Sequence, residues 1–292
     1  MAKGRIIEGR GGLYTVRDAV GQSYILRAKN KFRRENITPL VGDLVEFIPT
    51  RGAEHGWIEE ILPRNSYSIR PPVANITQLV ITLATEPAPD LILVDKLLLF
   101  AFGQQIVPLI VVNKVDLEPR LAREIKIAYD LTGVEVLALS AKTSEGMDDL
   151  QAAMAGHITC FAGQSGVGKS TLIMALTGVS LETGEISQKI RRGKQTTRHI
   201  SLIEQGGLKV LDTPGFSLLD LPEELEPEEI RLCYPDFTPY SHQCRFAPCL
   251  HDQEPDCAVD EAARNGLIDL GRLERYRELL NQAQEKWRTR YD

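Results

Sequence analysis

Long hydrophobic runs are missing from this sequence. No apolar stretch in its 292 residues approaches the roughly 18 residues of a membrane span. The longest candidate, residues 91–102, is interrupted by Asp95 and Lys96, and residues 1–10 contain no apolar signal region. These absences argue against a membrane protein and predict a soluble cytoplasmic protein.

Cysteine is scarce, and its five copies are unevenly placed. Cys160 and Cys233 stand apart, with Cys160 expected in the core, whereas the other three crowd around one histidine. Crowding of this kind in a cytosolic chain indicates a metal rather than a disulfide, although a disulfide or free thiols remain the alternatives. Three thiolates and an imidazole suit Zn²⁺, and their close spacing predicts one closed structural site. The predicted ligands are Cys244, Cys249, His251 and Cys257.

The net charge of −6 hides an uneven distribution. Residues 1–70 carry +4, residues 71–222 carry −3 and residues 223–292 carry −7. Binding to a polyanion is therefore expected to begin in the basic N-terminal segment. Residues 29–34 are basic with one aromatic, in a predicted loop that either contacts RNA or is an ordinary solvated loop.

The first seventy residues contain about five short β-rich runs separated by glycine turns. This spacing predicts a small barrel, and an oligonucleotide-binding (OB) barrel fits best. From residue 71, buried strands alternate with helices, which predicts a parallel sheet with helices on both faces. The third segment, residues 223–292, carries the cysteines and ends in a helix. We therefore expect a multidomain α/β protein with domains at 1–70, 71–222 and 223–292.

Residues 163–170 match the phosphate-binding pattern GxxxxGK[ST] between a predicted strand and a predicted helix. Its glycines let backbone N–H groups converge on phosphates, and the helix N-terminus adds positive potential. Lys169 is expected on the β and γ phosphates and Ser170 on Mg²⁺. A chance match is the alternative. The predicted phosphate-binding residues are Gly163, Gln164, Ser165, Gly166, Val167, Gly168, Lys169, Ser170 and Thr171.

Two further motifs precede this loop and predict guanine recognition. They are Asn113-Lys114-Val115-Asp116 and Ser140-Ala141-Lys142, each after an apolar strand. A carboxylate at Asp116 accepts hydrogen bonds from guanine N1–H and the exocyclic amine, whereas adenine would leave it unpaired. Lys114 is expected along the base plane, and the second motif offers backbone N–H to guanine O6.

A later motif, Asp212-Thr213-Pro214-Gly215, completes the set in circularly permuted order. Asp212 is expected in the Mg²⁺ shell and Gly215 on the γ-phosphate. Between it and the phosphate loop, Thr196 and Thr197 both qualify to cap Mg²⁺, and the sequence does not choose between them. The predicted magnesium ligands are Ser170, Asp212 and one of this pair, taken as Thr197.

Hydrolysis also requires a residue that orients the attacking water. Phe216 follows Gly215, where many GTPases place a glutamine, so intrinsic hydrolysis is expected to be slow. Gln195 and His199 are the nearby candidates, with a solvated loop position as the alternative for each. The predicted catalytic residues are Lys169, Thr196, Thr197, Gln195 and His199.

With the motif order and the zinc loop in place, the chain closely resembles the RsgA (YjeQ/YloQ) family of ribosome-dependent GTPases. The resemblance covers essentially the whole length and includes Arg245-Phe246 and Glu254-Pro255 in the zinc loop. It departs at Gln195, where family members often carry histidine. The resemblance implies a GTPase that acts late in maturation of the small (30S) ribosomal subunit, binds 16S rRNA and is stimulated by the subunit.

The sequence is also compatible with two other functions. The first is a nucleotide-gated rRNA-binding module in which hydrolysis is incidental, and Phe216 favours it. The second is a permuted GTPase that acts on the large subunit, and the N-terminal barrel and the zinc loop argue against this interpretation. We expect a monomer that binds GTP and GDP and has no membrane partner.

Overall fold

The computed structural model describes residues 1–49, 55–69, 71–179, 200–212, 221 and 225–291. The chain divides into two compact units. The first comprises Met1–Leu79, Leu150–Phe161 and Lys169–Phe216, and the second comprises Val80–Asp149, Ala162–Gly168 and Ser217–Asp292. Among the described residues, none of the helices combines the length and hydropathy needed to cross a bilayer.

The N-terminal part of the first unit is a closed five-stranded barrel. The strands are β1 (Ala2–Arg10), β2 (Leu13–Asp18), β3 (Ser23–Ala28), β4 (Leu44–Ile48) and β5 (Gly56–Ile61). They are ordered β1-β2-β3-β5-β4, and β1 pairs again with β4 to close the ring. The side chains of Ile6, Val16, Leu26, Phe47 and Ile58 are fully buried, as the alternation of apolar and polar residues predicts.

One local expectation in this barrel is wrong. Part of the segment predicted as a loop is a short helix, α1 (Asn30–Arg34). Phe32 is buried, which anchors the helix, while Arg33 and Arg34 are exposed. Lys29 makes a 2.5 Å ion pair with Glu59 of β5.

The rest of the first unit carries strands and helices of the central region. The strands are β6 (Tyr67–Ile69), β7 (Pro72–Ala74), β11 (Ile158–Ala162), β12 (Ser201–Gln205) and β13 (Leu208–Asp212). β11 is parallel to β13, and the β12–β13 hairpin is antiparallel. Helix α5 (Lys169–Thr177) begins within the phosphate-loop motif, at its lysine, and β11 is buried along its whole length.

The second unit contains the remaining parallel strands and the C-terminal helices. Strands β8 (Gln78–Ala84), which begins in the first unit, β9 (Val107–Asn113) and β10 (Glu135–Ala138) lie in the order β10-β9-β8, with β9 and β10 parallel. The helices are α2 (Leu91–Gly103), α3 (Arg120–Tyr129), α4 (Met147–Met154, shared with the first unit), α6 (Thr238–Ser241), α7 (Ala258–Arg264) and α8 (Leu270–Arg288). Every residue of β8 is buried, as expected for a strand covered on both faces.

Helices α2 and α8 are joined inside the second unit by an apolar cluster and a buried ionic network. Leu99 of α2 packs into the cluster formed around Tyr234, Phe237 and Tyr276, whose ring centroids are 4.9–5.0 Å apart. Asp95 of α2 accepts hydrogen bonds at 2.7 Å from Tyr129, Arg272 and Arg275. Arg272 also pairs with Asp236 at 2.7 Å.

Candidate functional site

Asn113, the last residue of β9, connects three separate sequence motifs. Its side chain is 3% exposed, and its Nδ2 donates to the Val167 carbonyl oxygen at 2.9 Å. Its Oδ1 accepts from the Ala141 backbone N–H at 3.1 Å. Both hydrogen-bonding ends of one buried amide are thus used, one on the phosphate-loop motif and one on the Ser-Ala-Lys motif. Residues 163–168 of the phosphate-loop motif and the two guanine-recognition motifs therefore lie together within the second unit.

Lys114 extends this connection on the exposed side. Its backbone is left-handed, with φ of 64°, and its Nζ donates to the Gly166 carbonyl oxygen at 2.9 Å. The same Nζ donates to the Glu86 carbonyl oxygen at 2.6 Å. The ammonium group therefore fixes the phosphate loop against the segment that follows β8.

The Asp116 carboxylate is exposed and held by one hydrogen bond from a buried residue. Ser140 has no exposed surface, and its hydroxyl donates to Asp116 Oδ1 at 2.6 Å. The Ser140 oxygen accepts from the Thr143 N–H at 3.2 Å, which closes a tight turn around exposed Lys142. The carboxylate is thus oriented but accessible, as a hydrogen-bond acceptor for a ligand must be.

Two glycines of the phosphate-loop motif have backbone conformations that favour glycine. Gly163 has φ of +126°, and a Cβ there would lie 2.1 Å from the Thr82 carbonyl oxygen. Gly168 has φ of +100°, and a Cβ there would lie 2.3 Å from Asn113 Nδ2. Only glycine fits either position, because both the backbone conformation and the space exclude a side chain. Val167 is completely buried and anchors the loop between them, while Ser165 and Gly166 are exposed.

The remaining predicted phosphate and magnesium residues that the structure describes belong to the first unit. Lys169 begins α5, followed by exposed Ser170 and by Thr171 in the first helical turn. Burial lowers the pKa of Lys169 to about 8. Asp212 ends β13, where it is paired in register with Ser201. Asp212 therefore lies at the end of a strand, as predicted.

Several predicted residues lie outside the described part of the chain. They are Gln195, Thr196, Thr197, His199, Gly215 and Phe216.

Residues 86–90, between β8 and α2, are a part of this site that the sequence did not single out. Gln164 of the phosphate-loop motif donates from Nε2 to the Ala88 carbonyl oxygen at 3.1 Å and accepts at Oε1 from the Asp90 N–H at 3.0 Å. These partners are about 75 residues apart in sequence. The composition of 86–90 predicts a turn and carries no signal of this contact.

The four predicted metal ligands converge in the C-terminal part of the second unit. All of their donor atoms lie within 4.8 Å of one another. His251 Nδ1 is 3.7 Å from Cys244 Sγ and 3.4 Å from Cys257 Sγ. Ideal tetrahedral zinc with ordinary bond lengths separates an imidazole nitrogen from a thiolate sulfur by about 3.6 Å, so the donor set fits Zn²⁺. Cys249, His251 and Cys257 are buried, which fits a closed site.

Hydrogen bonds from α8 hold the loop that carries these ligands. Tyr276 donates to the Leu250 carbonyl oxygen at 2.5 Å, and Arg277 donates to the His251 carbonyl oxygen at 3.0 Å. Burial lowers the pKa of His251, which favours the neutral imidazole that binds metals. Burial raises the pKa of the Cys249 thiol, so its thiolate form depends on a nearby cation.

Comparison with protein families and solved structures gives matches over nearly the whole chain. The family model described as RsgA GTPase matches residues 61–222, and that described as RsgA N-terminal domain matches residues 3–58. The small ribosomal subunit biogenesis GTPase RsgA of Caldanaerobacter subterraneus subsp. tengcongensis is 42% identical over 295 residues, covering 99% of this chain and 98% of that protein. The protein of the same name from Geobacillus sp. strain WCH70 is 42% identical, with 98% and 99% covered.

Two solved structures share this architecture. YjeQ from Thermotoga maritima superposes with a TM-score of 0.83 at 32% identity, covering 97% of this chain and 98% of that one. YloQ, described as a circularly permuted GTPase, gives a TM-score of 0.80 at 30% identity, with 98% and 96% covered. The motif order seen in the sequence therefore occurs together with this fold.

Proposed function

The chain belongs to the RsgA family of GTPases, and we propose that it hydrolyses GTP to GDP and phosphate during late maturation of the small ribosomal subunit. The observation that carries the proposal is the side chain of Asn113. It joins the phosphate-loop motif to the Ser-Ala-Lys motif through two hydrogen bonds, so base recognition and phosphate binding share one site.

Guanine selection rests on Asp116, Lys114 and the backbone of the Ser140–Lys142 turn. Asp116 accepts from guanine N1–H and the exocyclic amine, and Ser140 holds its carboxylate for this purpose. Adenine presents neither donor at those positions, which leaves a carboxylate unpaired against the base. The Ser140 and Ala141 N–H groups donate to Glu145 and Asn113, so the Lys142 N–H is the group of this turn that donates to guanine O6.

Phosphate binding rests on the loop from Gly163 to Ser170 and on Lys169. Backbone N–H groups and the N-terminus of α5 neutralise the phosphates, and the Lys169 ammonium approaches the β and γ groups. Mg²⁺, when bound with GTP, stabilises charge on the transferred phosphoryl group, and Ser170 and Asp212 would hold it together with Thr197 or Thr196. Gln195 and His199 are our candidates for orienting the attacking water, and Gly215 for contacting the γ-phosphate.

The C-terminal Cys₃His cluster holds, in this proposal, one structural Zn²⁺ per chain. The supporting observations are the short distances between donor atoms and the burial of three ligands. The zinc ion would fix the loop between α6 and α7 against α8. Its role is structural, since all four coordination positions are filled by protein.

We further propose that residues 1–70 form an RNA-binding domain, 71–222 the GTPase domain and 223–292 the zinc-binding domain. The closed barrel and the exposed basic residues of α1 support contact with 16S rRNA. The relatives' name, small ribosomal subunit biogenesis GTPase, supports the small (30S) subunit as the partner and the cytoplasm as the location. We propose a monomer as the form that binds the subunit.

The decisive experiment measures GTP hydrolysis by the purified chain alone, with isolated small subunits and with isolated large subunits. Co-sedimentation with a non-hydrolysable GTP analogue reports binding in parallel. The proposal predicts slow intrinsic turnover and strong stimulation by small subunits only. Binding to small subunits without stimulation would favour a nucleotide-gated RNA-binding module, and stimulation by large subunits would overturn the choice of partner.

A further inference from the structure

We infer that Gln164 is a positioning residue that braces the phosphate loop against residues 86–90, and that it does not serve as a nucleotide ligand. The inference rests on the proposed guanine nucleotide site and assigns one of its residues a different task from the one its motif predicts.

The Gln164 amide makes two complementary hydrogen bonds to the backbone of that segment. Its Nε2 donates to the Ala88 carbonyl oxygen at 3.1 Å, and its Oε1 accepts from the Asp90 N–H at 3.0 Å. Reversing the amide would set donor against donor and acceptor against acceptor, so the pair of partners fixes its orientation. The side chain is therefore directed to the 86–90 segment.

A second link joins the same segment to the same loop two residues further along. Lys114 Nζ donates to the Glu86 carbonyl oxygen at 2.6 Å and to the Gly166 carbonyl oxygen at 2.9 Å. Residues 86–90 are thus attached to the phosphate loop through Gln164 and, by way of Lys114, through Gly166. Two attachments restrain rotation of the loop, which a single attachment would permit.

The Gln164 hydrogen bonds can restrain the phosphate loop because residues 86–90 are themselves held in place. Asp90 is the N-cap of α2, where its side chain accepts from the Leu93 N–H at 2.9 Å. Leu93, Leu97 and Leu98 are buried, and Asp95 is held in the ionic network with α8. The phosphate loop is therefore restrained by a packed helix as well as by its own chain.

The consequence is pre-organisation of the loop in the free protein. Without the two Gln164 hydrogen bonds, a smaller fraction of the free molecules holds the loop in the geometry that binds nucleotide. The apparent affinity for nucleotide falls in proportion to that fraction. Because the brace acts on the loop and not on the γ-phosphate, GDP and GTP lose affinity equally. Two solvent-accessible hydrogen bonds of ordinary strength correspond to a loss of about tenfold.

The test compares Gln164→Met and Gln164→Ala with the matched control Gln151→Ala, which alters an exposed glutamine on α4. Methionine retains the size of the side chain and removes both hydrogen bonds, so it separates bonding from packing. Stopped-flow fluorescence with labelled GDP and a labelled non-hydrolysable GTP analogue gives affinities and dissociation rates. Thermal unfolding without nucleotide checks that each variant is folded.

Both Gln164 variants are expected to bind GDP and the GTP analogue about tenfold more weakly than the wild-type chain. Both nucleotides should dissociate faster, and the preference for GDP over ADP should be unchanged. Hydrogen exchange of the Asp90 amide should accelerate in both variants and stay unchanged in the control. Wild-type affinity in Gln164→Met would overturn the inference, and so would a loss confined to the GTP analogue, which indicates direct γ-phosphate contact. Failure of the wild-type chain to bind GDP would instead reject the proposed function.

Discussion

Removal of the Asp95 carboxylate is expected to destabilise the second unit more than any surface substitution. The Asp95 side chain has no exposed area and accepts three hydrogen bonds at 2.7 Å, from Tyr129, Arg272 and Arg275. In Asp95→Ala, Arg272, which is 1% exposed, keeps Asp236 as its remaining carboxylate partner. Arg275 loses the carboxylate that lies closest to it. The positive charges of both guanidinium groups then remain in a poorly solvated site.

Breaking a buried ion pair from one side costs about 3–5 kcal/mol, because the partner's charge stays desolvated. We expect a loss of that size in the free energy of unfolding, measured by urea denaturation with zinc present. Asp149→Ala, at an exposed position on α4, is the control and should cost less than about 1 kcal/mol. The double variant Asp95→Ala, Arg272→Met should lose less stability than the sum of its single changes, because both single changes break the same Asp95–Arg272 pair and the double change breaks it once, even though Arg275 and Asp236 each lose a partner. A loss below about 1 kcal/mol in Asp95→Ala would refute the reasoning.

Three other predictions concern the nucleotide and metal sites. Asp116→Asn should weaken GTP by about a hundredfold and favour the xanthine nucleotide, whose carbonyl accepts from the new amide; calorimetry that finds GTP preference unchanged would contradict this. Because burial lowers the pKa of Lys169 to about 8 while phosphate binding stabilises its ammonium, the Lys169 contribution to GDP affinity should be constant below about pH 7, and GDP affinity should fall by at most about tenfold per pH unit above about pH 8. A GDP affinity that stays constant to about pH 9.5 would contradict this prediction. In Lys169→Arg, whose side chain stays charged, GDP affinity should not fall over this pH range. Cys257→Ala should reduce bound zinc from one ion per chain to none by elemental analysis, whereas Cys233→Ala should retain it; full zinc content in Cys257→Ala would remove that residue from the ligand set.

Much of the fold was predictable because its signals are local. Alternating apolar residues set the barrel strands, and residues 56–61, which alternate apolar and polar positions, form strand β5. Glycines at 163 and 168 are required by backbone geometry, so the phosphate loop is recognisable from sequence alone. The Cys₃His cluster was predictable for the same reason, since four ligands within fourteen residues leave few ways to fold around a metal.

Other features depend on contacts between distant residues and have no local signal. Asp95 interrupts an apolar run in the sequence, and only the packing of α2 against α8 reveals its arginine partners. Gln164 has the spacing of a phosphate-binding residue, and its amide is directed elsewhere by a segment about 75 residues away. The short helix at Asn30–Arg34 was missed because burial of one side chain, Phe32, outweighs the polar composition around it.

The central claim is that motifs encoded in permuted order form one pocket selective for guanine nucleotides. Titration calorimetry of the wild-type chain with GDP and then with ADP tests it most directly. GDP should bind at one site per chain, and ADP should bind at least about a hundredfold more weakly, because adenine leaves Asp116 unpaired. Equal affinity for the two nucleotides would contradict the claim.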